Sequence, residues 1–306
     1  MLRIKGPVFP IPTAFKQNGD VDYYAIEKYV KFLLESGAKN ILVTVGTSRF
    51  NLLDEYEMLE VNRVVGITTK KYGGIAILTN GLTGNLKTSL KFAQVAKEVN
   101  ADAMMVFYPE RYYNDENIIE FFSEISKVGV SLMIHEMPMR AGTNKTSNPT
   151  QYSIELLEKL LNIDGVIGMK EESGSFNHSY QIVSKFSKDF SLILAGGSKR
   201  LYNSLFPFGA DTYLVGIGSL VPKLALKFWE HIENKEYEEA FKIEQNYEAP
   251  FFEEAFKNGW HLSMKEGMYY LGLMANFERK PLHPMDQASA KKLYKVIDTL
   301  NLKKWL

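Results

Sequence analysis

The stretch NILVTVGTSRFNLLDEYEMLEVNRVVGITTKKYGGIAILTN, residues 40–80, holds two short apolar runs on either side of a segment with helical period. The runs at 40–46 and 74–80 are continuously apolar, as expected of parallel strands that are buried on both faces. Residues 54–71 form an amphipathic pattern that opens with Asp54, a good N-cap residue, followed three positions later by Glu57. The stretch therefore predicts one strand–helix–strand unit of a parallel sheet.

The same alternation runs through most of the chain. Strands are predicted at residues 7–13, 40–46, 74–80, 103–109, 131–137, 166–170, 192–197 and 212–218. Helices are predicted at residues 23–37, 54–71, 86–99, 114–128, 150–161 and 177–186. Eight strands at about 25 to 35 residues per unit predict an α/β fold of the (β/α)8 TIM-barrel type. The alternative is a doubly wound open sheet, but no Gly-x-Gly-x-x-Gly follows the first strand and there is no P-loop.

The pattern changes near residue 225, after which only helical segments follow. We therefore predict two parts, a catalytic (β/α)8 barrel at residues 1–224 and a C-terminal helical segment at residues 225–306 that packs on it.

The composition is typical of a globular protein and argues against several other classes of protein. The chain has 306 residues, of which 45% are hydrophobic, enough for a large core. The 36 basic residues balance 36 acidic ones, which gives no support for nucleic acid or an anionic membrane as partner. No stretch approaches the ~20 apolar residues of a membrane span, and the N-terminus does not read as a signal peptide. The absence of cysteine excludes disulfides and thiolate nucleophiles and fits a cytoplasmic protein.

The stretch VIGMKEESG, residues 166–174, places a lysine at the end of the sixth predicted strand. Barrel enzymes build their active sites at the carboxyl ends of the strands, and Gly168 and Lys170 share one strand face. If that face is the barrel interior, desolvation would lower the lysine pKa, and a neutral amine can attack a ketone to form a Schiff base. The alternative is a solvated lysine that points outward or pairs with Glu171 or Glu172.

Polar residues also follow other predicted strands. Residues 46–48, Gly-Thr-Ser, can grip a carboxylate with backbone N–H groups and hydroxyls, or can simply cap a turn. His135 can transfer protons near neutral pH, or can be a core histidine bonded to a carbonyl. Arg140 can hold a substrate anion or pair with a neighbouring acid. These alternatives stay open at this point.

Two glycine-containing stretches end the last two strands. GGSKR, residues 196–200, can bring Lys199 and Arg200 to the same barrel rim, but we prefer the start of a helix, with Ser198 as its cap and both basic side chains in solvent. In the eighth-strand motif, Gly216 and Gly218 allow either close approach of a ligand or tight packing within the barrel.

Taken together, these motifs resemble the dihydrodipicolinate synthase and N-acetylneuraminate lyase family over nearly the whole chain. VGTS resembles its GTTGE or GSTGE pyruvate-binding turn, MPMRAG resembles VPxRTG, and GMKEESG resembles GIKEASG with its Schiff-base lysine. PVFPIPTAFKQNGDVD, GADTYLVGIGSLVP and MKEGMYYLGLMANFERKPLHP are similar to its first strand, its eighth strand and its C-terminal signature.

The resemblance implies a barrel with a C-terminal three-helix extension, often assembled as a homotetramer, and class I chemistry. Lys170 would form an imine with the keto group of pyruvate or another 2-keto acid. Because the imine is itself the electron sink, no metal or organic cofactor would be needed. Thr47 and Ser48 would hold the keto-acid carboxylate. The further substrate contacts predicted are Gly46, Arg49, Arg140 and Leu214.

The sequence departs from the family pattern at residues that matter for the second substrate. In HEMPMR, His135 takes the place of the family tyrosine that relays protons to and from the aldehyde oxygen. In GTSRF, Arg49 and Phe50 replace Gly and Glu, so that Arg49 can meet an anionic part of the substrate or point to an interface. In VFYPERYY, Pro109 and Glu110 fall on the synthase's tyrosine pair, although Tyr108, Tyr112 and Tyr113 lie close by.

We therefore predict a carbon–carbon lyase that cleaves a 2-keto-3-deoxy sugar acid, or a related 2-keto acid, reversibly to pyruvate and an aldehyde. Lys170 and His135 are its predicted catalytic residues. The alternatives are a dihydrodipicolinate synthase with an altered proton relay, which joins pyruvate and aspartate semialdehyde, and a 2-keto-3-deoxy acid dehydratase. A non-catalytic keto-acid-binding protein is a further alternative.

Overall fold

The computed structural model describes residues 2–43, 45–81, 85–107, 114–136, 152–195 and 198–306. Eight parallel strands close into a barrel, in which each strand pairs with its neighbours in the chain and β8 returns to β1. The strands are β1 (Gly6–Pro10), β2 (Asn40–Leu42), β3 (Ile75–Thr79), β4 (Ala103–Phe107), β5 (Leu132–Glu136), β6 (Val166–Glu171), β7 (Ser191–Leu194) and β8 (Thr212–Leu214). The predicted (β/α)8 barrel is confirmed, and the open-sheet alternative is wrong because Gly6 pairs with Thr212.

One helix follows each strand. These helices are α1 (Tyr23–Glu35), α2 (Glu55–Lys71), α3 (Leu86–Glu98), α4 (Asp115–Ser126), α5 (Ile154–Leu161), α6 (Phe176–Phe186), α7 (Ser198–Leu205) and α8 (Pro222–Glu233). Helix α2 begins where its sequence predicts, because Asp54 accepts a hydrogen bond from the Glu57 amide (2.8 Å) and Glu57 accepts one from the Asp54 amide (3.1 Å). The reciprocal bonds satisfy two backbone donors that the first turn would otherwise leave open.

The middle of the barrel interior is apolar. Alternate residues of the strands turn inward and form an inner cluster that includes Val8, Leu42, Ile77, Met105, Met133 and Ile193. Gly168 belongs to this face of β6, and a Cβ added to it would lie 2.0 Å from the Ser191 carbonyl oxygen. A glycine is therefore required where β6 and β7 approach each other, and the next inward residue of β6 is Lys170.

Four further helices complete the chain, α9 (Tyr237–Ile243), α10 (Ala249–Ala255), α11 (Trp260–Tyr270) and α12 (Gln287–Thr299). The segment that contains α10 packs on the barrel next to the end of β8, where a Cβ on Gly216 would lie 2.6 Å from Phe252 and 2.8 Å from Glu248. A Cβ on Gly218 would lie 2.7 Å from Ala225. Of the two roles considered for these glycines, the structure supports tight packing.

The predicted division at residues 224 and 225 falls inside α8, and the two-part organisation stays a prediction. Arg279, beyond α11, connects the C-terminal helices to the barrel, since its guanidinium binds both Glu57 carboxylate oxygens at 2.6 Å. Within the described ranges, no helix combines the length and the apolar character that crossing a membrane requires.

Candidate active site

Lys170 lies inside the mouth of the barrel. It pairs in register with His135 of β5 on one side and with Ile193 of β7 on the other, and only 1% of its surface is exposed. The residue therefore follows the inward face that its spacing from Gly168 predicts. The alternative of an outward, solvated lysine is wrong, although Lys170 does pair with an acid.

That acid is Glu172. The Lys170 ammonium donates a short hydrogen bond to Glu172 Oε2 and lies 2.8 Å from His135 Nε2. His135 Nε2 and Glu172 Oε2 are 3.4 Å apart, so the three groups form a closed triangle. Burial alone would raise the pKa of the Glu172 carboxyl, but the charge of Lys170 and the hydrogen bond with His135 together lower it to about 2. The sequence reading considered Glu172 only as an ion-pair partner of the lysine and missed that it enters this triangle.

His135 is completely buried at the end of β5. Its ring stands against Phe107 of β4, with 4.5 Å between centroids, and Phe107 in turn contacts Phe50, with 5.5 Å between centroids. Burial and the adjacent Lys170 charge lower the pKa of His135 to about 4, so the imidazole is neutral at pH 7. No hydrogen-bond partner for His135 Nδ1 is present among the residues that the structure describes.

Residues Gly46–Ser48 form a single turn of 3-10 helix after β2. The Ser48 hydroxyl is buried and donates to the Ile11 carbonyl at 2.5 Å, and Thr13 donates to the Ser48 carbonyl. These bonds match the turn-capping role considered for Ser48, and a carboxylate would have to compete with Ile11 for its hydroxyl. Thr47, by contrast, is half-buried and lines a small cavity.

This cavity, of about 10 Å³, is also lined by polar groups of the C-terminal helices. Arg49 adopts a left-handed backbone conformation (φ 54°) and binds Glu278 at 3.1 Å, so it joins the turn to the C-terminal region. Lys265 is buried, and its Nζ donates to the Thr13 carbonyl at 2.7 Å. Burial lowers the pKa of Lys265 to about 8 and that of His261 to about 4. This contact within the chain is neither of the two roles considered for Arg49, and both of those stay predictions.

A second acid–histidine cluster lies on the outer faces of the same two strands. Glu136, next to His135, accepts hydrogen bonds from His178 of α6 (3.0 Å) and from the Tyr152 amide (3.0 Å). Glu171, next to Lys170, accepts hydrogen bonds from Ser173 and from Ser179 of α6 (2.7 Å). Burial raises the pKa of Glu136, whereas the bond with Glu136 raises the pKa of His178.

The structure brings together only some of the predicted site residues. Lys170 and His135 are in contact, and Leu214 of β8 packs, partly buried, against the inner cluster. Arg140 lies outside the described residues, as do all three tyrosines of residues 108–113 and Glu110. The side chains of Lys199 and Arg200 are likewise outside the described part, so their predicted exposure stays a prediction.

Comparison with known proteins identifies the family of the chain. The model of the dihydrodipicolinate synthetase family matches residues 3–300. A 4-hydroxy-tetrahydrodipicolinate synthase of Karelsulcia muelleri is 27% identical over 305 residues, which cover 96% of this chain and 97% of the relative.

Two solved structures share the fold. An N-acetylneuraminate lyase of Mycoplasma synoviae superposes with a TM-score of 0.81 at 23% identity, covering 98% of each chain. YagE of E. coli K12, a member of the dihydrodipicolinic acid synthase family solved in complex with pyruvate, superposes with a TM-score of 0.85 at 16% identity. That match covers 98% of this chain and 99% of YagE. With a family match that spans nearly its full length, the chain belongs to the dihydrodipicolinate synthetase family and is a carbon–carbon lyase of the aldolase type.

Proposed function

We propose that the protein is a class I aldolase that forms an imine between Lys170 and a 2-keto acid. The observation that carries the proposal is a lysine amine buried at the carboxyl end of a barrel strand, 2.8 Å from a neutral histidine. This is the position in which barrel enzymes carry out chemistry, and a buried amine beside a proton acceptor is equipped to attack a carbonyl. The pyruvate complex of YagE, a protein with the same fold, supports pyruvate as the keto-acid half.

In the cleavage direction the Lys170 nitrogen adds to C2 of the 2-keto acid and the carbonyl oxygen leaves as water. The resulting iminium withdraws electrons from C3. A base removes the proton of the C4 hydroxyl, the C3–C4 bond breaks, and its electron pair moves to C3 as an enamine while the aldehyde leaves. Protonation of C3 and hydrolysis of the imine release pyruvate and regenerate the lysine.

His135 is the residue that we propose to remove the C4 hydroxyl proton. Its imidazole is neutral at pH 7, because burial and Lys170 lower its pKa to about 4, and Nε2 lies beside the nitrogen that carries the imine. A neutral imidazole can accept a proton and return it in the condensation direction. It would thereby do the work that the family tyrosine does.

The turn Gly46–Ser48 is the proposed site for the keto-acid carboxylate. Thr47 is the hydroxyl residue best placed for this, because the Ser48 hydroxyl already donates to Ile11. Arg140, Arg49 and Leu214 remain proposed contacts for the rest of the substrate, with Arg49 available only if its pair with Glu278 opens. A 2-keto-3-deoxy sugar acid is the proposed substrate class, since a histidine in place of the tyrosine departs from the synthase pattern.

We further propose a cytoplasmic homo-oligomer, a tetramer or dimer as the family resemblance implies, that needs no metal or organic cofactor. The imine supplies the electron sink in the scheme above, so the scheme calls for no further electron acceptor. Light scattering of the purified protein, and activity after dialysis against a chelator, test these two points.

Product analysis tests the proposed reaction. We expect 2-keto-3-deoxy sugar acids to yield pyruvate and an aldehyde in a reaction that borohydride stops irreversibly. Water loss without carbon–carbon cleavage would identify a dehydratase, and consumption of aspartate semialdehyde with pyruvate would identify the synthase. Absence of turnover with every keto acid, together with resistance to borohydride, would contradict the proposal.

A further inference from the structure

The mechanism above leaves one group of the site without a task. Glu172 sits two residues beyond Lys170, and residues two apart on an extended chain share a face, so its carboxylate reaches back to the amine. It contacts both the Lys170 nitrogen and His135 Nε2, the two atoms that the mechanism uses. The side chain remains 24% exposed, which leaves a route for protons to solvent.

A comparison with Glu171 shows that Glu172 enters the site because of its position on the strand and not because it is a glutamate. The two glutamates are adjacent in the chain, but Glu171 is fully buried on the outer face of β6, where Ser173 and Ser179 hold its oxygens. One glutamate is thus built into the packing behind the strand, whereas the other faces the reacting nitrogen.

We propose that Glu172 is a catalytic acid–base residue of imine formation, which takes a proton from the Lys170 ammonium and returns it to the oxygen that leaves as water. This inference rests on the proposed function and assigns a residue to a step that the function leaves open. Glu172 also remains beside the iminium as its counter-ion, which a buried cation requires.

The step balances in atoms and charge. The Lys170 ammonium gives one proton to the Glu172 carboxylate, and the free amine adds to C2 of the keto acid. The nitrogen of the adduct passes a second proton to the former carbonyl oxygen, which becomes a hydroxyl. Protonated Glu172 then donates to this hydroxyl, the C–O bond breaks and water leaves. The nitrogen retains one proton as an iminium, and Glu172 is again a carboxylate.

The different charges of Glu172 and His135 explain why we assign them different proton transfers. The carboxylate is the anionic partner that the ammonium and the iminium need, and the neutral imidazole is free to serve the substrate hydroxyl. The Lys170 charge is a main reason that the pKa of Glu172 is low, although burial opposes it. Once the proton has moved, that charge is gone, and burial then favours the protonated carboxyl of Glu172.

The test compares Glu172→Gln with Glu171→Gln, a matched control of the same residue type on the opposite face of the strand. The rate of imine formation with pyruvate is measured by rapid quench in borohydride, on protein that circular dichroism shows to be folded. We expect Glu172→Gln to slow imine formation by about 10²- to 10⁴-fold, the usual effect of general acid–base catalysis, and Glu171→Gln to change it by less than about fivefold. Glu172→Ala should regain rate, with saturation, when formate is added.

Three outcomes are informative. A slow Glu172→Gln variant that traps at Lys170, with formate rescue of Glu172→Ala, supports the inference. Imine formation in folded Glu172→Gln at nearly the wild-type rate, or a slow Glu172→Ala that formate does not restore, overturns it while leaving the Lys170 imine intact. Failure of the wild-type protein to trap any keto acid contradicts the proposed function itself, and the inference falls with it.

Discussion

The ends of β5 and β6 carry two clusters of acids and histidines that differ in how their hydrogen bonds are used. On the outer face, Glu136 and Glu171 are held by His178, two serine hydroxyls and two backbone amides, so each carboxylate oxygen has a donor. On the inner face, Lys170, His135 and Glu172 bind mainly one another, and His135 Nδ1 has no partner in the part of the chain that the structure describes.

We infer that this difference separates a structural cluster from a catalytic one. A fully satisfied buried network fixes the positions of the strand ends, and its disruption leaves charges without partners. A cluster whose polar groups bind mainly one another can pass protons between them and can exchange these bonds for contacts with a substrate. The strands turn consecutive residues, Glu136 beside His135 and Glu171 beside Lys170, to opposite faces, and we therefore propose different roles for them.

The largest effect is expected at the inner cluster, from Lys170→Arg. Guanidinium keeps the charge beside Glu172 but is always protonated and forms no imine. Activity should fall by about 10³-fold or more, as when other covalent nucleophiles are removed. The melting temperature should stay close to that of the wild-type protein. Steady-state kinetics and thermal unfolding measure the two quantities. Activity within tenfold of wild type would show that the imine is not formed by Lys170.

A smaller effect on activity is expected from His135→Phe, which keeps an aromatic ring against Phe107. Without the imidazole, kcat for cleavage should fall by about 10²- to 10⁴-fold, but the keto-acid adduct on Lys170 should still form. Comparison of borohydride trapping with product release separates the two steps. Normal product release in this variant would assign the aldehyde proton to another group.

Substitutions in the outer cluster should lower the free energy of unfolding but should change kcat little. His178→Ala removes the side-chain partner of the fully buried Glu136, which keeps the Tyr152 amide, and should lower the free energy of unfolding by about 3–5 kcal/mol. Urea denaturation measures the loss, and kcat per folded molecule should stay within a few fold of wild type. A stable variant with low kcat would mean that the outer cluster takes part in the reaction.

The two histidines should give opposite dependence of stability on pH. The Glu136 contact raises the pKa of His178, so its stabilising contribution is complete below about pH 6.5 and is lost as the pH rises through the raised pKa. Burial lowers the pKa of His135 to about 4, so stability is lost as the pH falls from about 6.5 through 4. Urea titrations of wild type, His178→Gln and His135→Gln across this range test both directions.

The smallest effect is expected from Ser179→Ala, which removes one of the hydrogen bonds to Glu171. Because the backbone amide and hydroxyl of Ser173 still bind the other oxygen, the loss should be about 1–3 kcal/mol with little change in kcat. Urea denaturation is again the measurement. An effect larger than that of His178→Ala would reverse the proposed ranking within the outer cluster.

Much of this organisation follows from local sequence. The eight apolar runs predict the strands, the Asp54–Glu57 pair predicts the start of α2, and the two-residue spacing from Gly168 predicts that Lys170 faces inward. Patterns within a short stretch of sequence do not predict features that depend on contacts between distant segments. The run at 40–46 predicts a longer strand than β2, which ends at Leu42.

Contacts between distant residues explain what the sequence reading missed. The pair of Arg49 with Glu278 joins residues 229 positions apart, and the packing of Gly216 depends on Phe252. Glu172 is close to Lys170 in sequence, but the orientation of its side chain also depends on where β6 ends and on the contact with His135 of β5. The alternation that places Lys170 inward also applies to Glu172, and this was the signal that could have identified it.

The most direct test of the central claim is peptide mass analysis after borohydride reduction of the protein in the presence of pyruvate. The account predicts one reduced pyruvyl adduct per chain, on the peptide that contains Lys170. It predicts none on the peptide that contains Lys265, which is also buried. An unmodified Lys170 peptide from folded protein saturated with pyruvate, or an adduct on a different lysine, would contradict it.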